Sequence, residues 1–259
     1  MDSMGRLFLF LSLPLILFLT LPLINMTTPP SWAMLMETIL DKDVARAILR
    51  SLGLSLTAGG TAFILGTPLA YVLARKSFPG KKLVEGIIDL PIMIPHPVVG
   101  IAILSLAGRN HPLGRFLDRL GIEIMGSATG IVVVLLFVGL PFYINAVTAG
   151  FQTVPPRLEK ASRTLGAGAF ETFRRITFPL TWRHMVIGII MCTARGISEF
   201  GAVVIVAYHP MTAPVMIYER FTAHGLEYSQ PVAVWLICIS LILCVLLRLM
   251  SRRLQTNEA

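Results

Sequence analysis

The sequence predicts an all-α integral membrane protein with six transmembrane helices and both termini on the inner side. Three observations predict it. First, 55% of the 259 residues are hydrophobic and only 14% are charged, with a mean hydropathy of +0.76. An ordinary soluble domain carries about 25% charged residues, and a soluble core of this size cannot hide so much apolar surface. Second, six windows reach the roughly 20 mostly apolar residues that a spanning helix needs. They fall at about 7–24, 50–74, 83–107, 127–150, 184–207 and 231–250. Third, with both termini inside, 14 of the 22 Lys and Arg lie on the inner side and 6 on the outer. Arg50 and Arg195 complete the set, within spans. This bias sets orientation. The formal charge of +8 is therefore mostly a topology signal, and no nucleic-acid partner is needed to explain it.

The first window has only Arg6 before it, is long for a leader, and meets no A-x-A-like site in INMTTPPSWA. It reads as a retained span. The outer loop that follows holds Glu37, Asp41 and Asp43, and Asp43 is the expected N-cap of the second helix. That helix carries Gly53, Thr57, Gly59, Gly60, Thr61 and Gly66, small residues that let helices approach closely in lipid. It ends at Tyr71 and a basic anchor, with a Pro79–Gly80 turn.

The third window contains DLPIMIPHPVVG, residues 89–100. Pro91, Pro95 and Pro97 each lack a backbone donor, so a straight helix is not expected. Two readings are open: a kinked packing helix, or a segment lining a passage, where irregular backbone is tolerated. His96 reads as a hydrogen-bonded packing residue. In the next outer loop, Leu113, Phe116, Leu117 and Leu120 follow helical spacing and predict a short amphipathic surface helix. Cys192, Cys238 and Cys244 fall in apolar runs without metal-ligand spacing.

The inner loop at 151–182 is the most informative piece. Pro155 and Pro156 suit a helix start, RLEKASRTL is helix-prone, and Gly166 stands where a left-handed cap belongs. AFETFRRI predicts a second short helix, with Phe170, Phe173 and Ile176 on one stripe, stopped before Pro179. The expected result is a compact inner hook, either docking another protein or packed on its own helices.

The loop resembles the EAA loop of ABC importer permeases, E-A-A-x-x-x-G, nine residues, then I-x-L-P. Gly166 is followed by nine residues and then Ile176, Phe178 and Pro179, with Phe178 in the Leu place. Upstream the sequence departs: Lys160, Ala161 and Ser162 occupy the triplet, and Glu159 sits one place early. RTLG at 163–166 is typical of the family. GTPLAYVLARKSFPGK, DLPIMIPHPVVGIA and ARGISEFGAVV resemble segments of the molybdate, tungstate and sulfate permease branch, so the likeness spans roughly residues 50–250.

The resemblance implies one permease domain over 1–259 with the type I importer fold, a multi-pass protein of the cell membrane. It implies a docking hook made by Arg157, Glu159, Lys160, Ala161, Arg163, Thr164, Leu165, Gly166, Ala167, Phe170, Ile176 and Pro179. The implied partners are a cytoplasmic ATPase dimer, a second permease subunit, read as a homodimer with the first span wrapping the neighbour, and an extracytoplasmic oxyanion-binding protein. The chain carries no G-x-x-x-x-G-K-[ST], so it is not an enzyme; ATP and Mg belong to the partner ATPase, and this chain needs no cofactor. Sulfate or thiosulfate is the alternative cargo. A secondary anion transporter or channel is the alternative class, and it leaves the hook's spacing unexplained.

Arg195 and Glu199 lie four residues apart in the fifth window, with Gly196, Ser198 and Gly201 around them. On a helix they share a face near mid-membrane, where an unpaired charge costs about 3 kcal/mol or more. They read either as a neutralised packing pair or as the border of the translocation path. With Pro91, Pro95, His96 and Pro97 they form the candidate gate.

Overall fold

The computed structural model describes residues 3–28, 30–108 and 110–255, and those residues contain helices and no strands. Arg109, counted to the outer side above, lies outside them. Helices α1 (Ser3–Thr27), α3 (Lys42–Arg75), α7 (Ala128–Thr153), α10 (Phe178–Ile197) and α13 (Leu226–Gln255) are the long apolar ones. Short helices lie between them: α2 (Trp32–Leu40), α4 (Lys81–Met93), α5 (His96–Ala107), α6 (Pro112–Arg119), α8 (Pro156–Thr164), α9 (Ala169–Thr172), α11 (Val203–Val206) and α12 (Ala213–His224). Among the described residues five helices are long and apolar enough to span, and the bent α4–α5 pair brings the number to six if its two halves form one span.

The core is the α3–α7–α10 triplet. Small residues bring these helices together, as packing in lipid favours. A Cβ on Gly59 would stand 2.7 Å from Thr193 Oγ1, and one on Gly139 would stand 2.5 Å from Cys192 Sγ. Tyr143 fills the middle of the triplet, fully buried, its hydroxyl 2.6 Å from Thr67 Oγ1. Gly139→Val should therefore overpack a closed contact, at a cost of about 1–3 kcal/mol. The check is the apparent melting temperature of the detergent-purified chain, expected to fall below that of wild type.

Helix α1 behaves differently. Its apolar window has none of its residues buried, and it touches the rest of the chain through α13.

Five expectations need correction. The second span begins at Lys42, not near 50, because two amphipathic turns precede the apolar window and bury Val44, Ala47 and Ile48 against α12 and α13. Its N-cap is Asp41, not Asp43: Asp41 accepts the Asp43 N–H at 2.8 Å and pairs with Arg220 at 2.6 Å. Burial pushes the Asp41 carboxyl up, but the Asp43 amide and Arg220 outweigh it and hold it below the ordinary value.

The third window is not one helix. Pro91 is buried inside α4 and does not break it; the break is at Ile94–Pro95, where the axis bends by 112°. A residue before proline is pushed to extended backbone, and Ile94 has ψ 136°. Pro95 and Pro97 then start α5, where a missing donor costs nothing.

The fifth window also breaks, because α10 ends at Ile197 and the chain turns through Ser198–Ala202 before α11. Finally, the second hook helix does not stop at Pro179. It runs as one helix from Ala169 to Ile197 through a π-turn at Phe173–Thr177, with Phe178 N–H reaching the carbonyl five residues back. The widened turn makes room for the Pro179 ring, which clashes with a normal i−4 carbonyl. The predicted surface helix is present as α6.

Candidate functional site

At the hook, Gly166 has φ +93°. Its N–H bonds the Arg163 carbonyl at 3.0 Å, and the Ala167 N–H bonds Ser162 at 3.2 Å. These are the paired bonds of a Schellman cap, and they close α8 as the glycine predicts. The cap turns Leu165 outward, 88% exposed, and Phe170 is 77% exposed. Arg157, Lys160, Ala161, Arg163 and Thr164 are exposed as well, while Ala167 and Ile176 are half-buried. Pro179 is exposed in the first turn of α10. Of the expected stripe, Phe173 turns inward against Tyr71, Phe151 and Phe178, while Phe170 faces out.

Glu159 does not belong to this outer surface. It is buried, and its carboxylate accepts from Arg75 Nε and Nη2 at 3.1 and 2.9 Å. Thr177 Oγ1 donates at 2.9 Å and the Tyr71 hydroxyl at 3.3 Å. The shift of one place from the family triplet thus turns the acid toward α3. Arg75, Tyr71 and Thr177 were missed as site residues because the pairing bridges 84 residues and leaves no trace in local pattern.

The second cluster forms where the two broken segments meet. Arg195 Nη2 donates to Glu199 Oε2 at 2.9 Å, and His96 Nδ1 lies 2.7 Å from the same oxygen. With Nδ1–H donating there, His96 Nε2 accepts from Arg195 Nη2 at 2.7 Å. Glu199 Oε1 accepts the Ala202 N–H at 2.9 Å at the start of α11. Both carboxylate oxygens are therefore satisfied, although Glu199 lies in a turn and not on the helix face that spacing predicts. Two glycines allow the approach. A Cβ on Gly201 would meet His96 Cβ at 3.1 Å, and one on Gly100 would meet the Ala202 carbonyl at 2.9 Å. Gly100 was not singled out from sequence. Gly196 packs against Ser55, Ser198 is exposed, Pro95 and Pro97 sit at the head of α5, and Pro91 stays apart inside α4. The geometry shows the pair neutralised, and it joins the broken α4–α5 segment to the turn between α10 and α11.

Neutralising Glu199 leaves the partly exposed Arg195 without its counter-charge and the Ala202 amide with a weaker acceptor. Glu199→Gln should lower transport more than it lowers the inserted, folded fraction, checked by uptake normalised to monodisperse protein. Equal losses would assign the cluster to folding alone.

No group of three or more His, Cys, Asp and Glu able to hold a metal occurs among the described residues.

Residues 66–257 match the family model described as "Binding-protein-dependent transport system inner membrane component". The molybdate/tungstate transport system permease protein WtpB of Methanocaldococcus jannaschii is 42% identical over 246 residues, 95% of this chain and 93% of that protein. The sulfate transport system permease protein CysT of a Synechocystis species is 33% identical over 202 residues, 76% of this chain and 71% of that one. Among solved structures, a bacterial ABC transporter involved in alginate import shares the fold, with a TM-score of 0.73 at 18% identity, covering 97% and 96% of the two chains. A match over most of the length, joined to the long apolar helices, shows that the chain belongs to the family of binding-protein-dependent transport system inner membrane components, whose members are permease subunits and not enzymes.

Proposed function

We propose that this chain is the permease subunit of an ATP-driven importer of molybdate and tungstate in the cell membrane, with both termini and the hook on the cytoplasmic side. A dianion cannot cross about 30 Å of hydrocarbon unaided, so it needs a polar path closed on one side at a time. The observation that carries the reading is mechanical. The second half of the hook, which carries the exposed Phe170 and follows the Gly166 cap, is continuous with the helix that carries Arg195 and ends at Ile197. A push delivered there by an ATPase dimer travels along α10 to the clamp between the broken segments. That is a rigid element biasing a two-state contact. Two such chains enclose the path, and α1, exposed along its apolar window, lies against lipid and the neighbouring subunit. An extracytoplasmic binding protein supplies the affinity, so the path itself binds weakly and releases. The molybdate and tungstate reading follows the 42% relative, and sulfate follows the 33% one.

The test reconstitutes the chain with its ATPase and binding protein and measures ATP hydrolysis. Hydrolysis should rise with molybdate- or tungstate-loaded binding protein and stay basal with sulfate. Stimulation by sulfate alone moves the reading to the sulfate branch. Anion uptake by the chain without any ATPase replaces it with a secondary transporter or channel.

A further inference from the structure

The polar face formed by His96, Arg195 and Ser198 is not a lipid face. The Arg195 side chain is 22% exposed and that of His96 34%, and Ser198 is exposed, all at breaks in apolar segments. A charge presented to hydrocarbon costs about 3 kcal/mol or more, so water or a second subunit covers this face.

The cluster is also graded in depth. The Glu199 side chain is 2% exposed and lies behind Arg195 at 22%. Its oxygens are occupied by the Ala202 amide, the Arg195 guanidinium and the His96 ring. Arg195 Nη2 is committed to Glu199 and His96. Nη1 has only a stretched contact, 3.4 Å, to Ser198 Oγ, and that hydroxyl turns back to the Arg195 carbonyl at 3.1 Å. Bonds of this length are weak and yield to a better acceptor. The positive end of the pair therefore points outward, while the negative end is buried and satisfied. Helix α5, 12 residues long, adds the positive end of its dipole at His96.

We propose that Arg195 Nη1 and the Ser198 hydroxyl form a transient station for a tetrahedral oxyanion dianion in the path. The station rests on the importer reading and places the cargo's contact on this chain. The uncommitted Nη1 offers a charge-assisted N–H bond to an oxygen of such an anion. Ser198 supplies a further donor by rotating away from its own turn. Glu199 cancels most of the Arg195 charge at distance, so the anion is oriented without being held, as conduction requires.

The experiment places Ser198→Cys in a chain whose exposed Cys238 and Cys244 are replaced by Ala, assembled with its ATPase in proteoliposomes. Cys192 is fully buried and stays. Labelling by a membrane-impermeant thiosulfonate is timed with and without sodium tungstate, against chloride at equal ionic strength. For a station with a dissociation constant of about 1 mM, tungstate at about 10 mM should slow labelling about tenfold, and chloride should not. Equal rates with and without tungstate overturn the proposal. So does labelling only by a lipid-soluble maleimide, since the face then meets hydrocarbon.

If the cysteine variant fails to insert, Arg195→Lys keeps the charge and removes the Nη1 donor. The maximal uptake rate per folded complex should then fall about tenfold, with the half-saturating concentration of binding protein unchanged. An unchanged rate overturns the proposal equally. Protection by tungstate needs no ATP, so its failure leaves the importer reading standing. Hydrolysis indifferent to anion-loaded binding protein removes that reading without altering the labelling result.

Discussion

Gly166→Trp is expected to give a chain that inserts and folds but no longer drives anion uptake. Two effects add at this position. The backbone sits at φ +93°, where an L side chain costs about 1–2 kcal/mol, so the Schellman cap loosens. A Cβ there meets nothing within 4 Å, so a side chain leaves the backbone into open space. It projects from the surface that carries the exposed Leu165 and reshapes the face proposed above to meet the ATPase. Three variants separate these effects. Gly166→Asn tolerates the left-handed conformation and should keep most of the uptake. Gly166→Ala carries strain alone and should sit between. Gly166→Trp should lose uptake entirely, while size-exclusion profiles of all three remain those of the wild type. Wild-type uptake by Gly166→Trp would mean that the hook does not deliver the stroke.

Glu159→Ala is expected to do comparable damage from inside the hook. It leaves Arg75 buried without its carboxylate, a loss of about 3–5 kcal/mol, and it frees Thr177 and Tyr71 as unmatched donors. The node ties α8 both to α3 and to the π-turn that leads into α10. Losing it should let the hook move without moving the bundle. The expected signature is ATP hydrolysis that continues while uptake falls, so the ratio of anion moved to ATP consumed drops. Glu159→Gln should be milder, and Arg75→Gln combined with Glu159→Gln should recover part of the ratio, because no buried charge is then orphaned. A coupling energy near zero in that double-mutant cycle would remove Glu159 and Arg75 from the transmission.

The parts of this architecture that were legible in sequence are the local ones. Spans follow from apolar windows, and the hook's cap follows from one glycine at one place. The prolines flagged an irregular third passage, yet Pro95 breaks it and Pro91 does not, since the outcome depends on what each ring meets in the fold. Pro179 was read as a stop, but a π-turn absorbs it. The break after Ile197 was hidden: GISEFGAVV is apolar and proline-free, and Glu199 caps α11 through Ala202. The pairings that define both sites, Glu159 with Arg75 and Arg195 with His96, span 84 and 99 residues and exist only once the helices are packed.

The π-turn at Phe173–Thr177 also sets an angle. One residue of helix corresponds to about 100° of rotation, and a π-turn is one residue more than an α-helical path needs. The compass bearing of Leu165 and Phe170 around the α10 axis is therefore fixed by a single surplus residue. Deleting one residue from the turn, with Pro179→Ala so that plain α-helix can form, swings the hook about a quarter of a revolution. The chain would keep its spans, its cap and its clamp, and would hold its handle out to the wrong side.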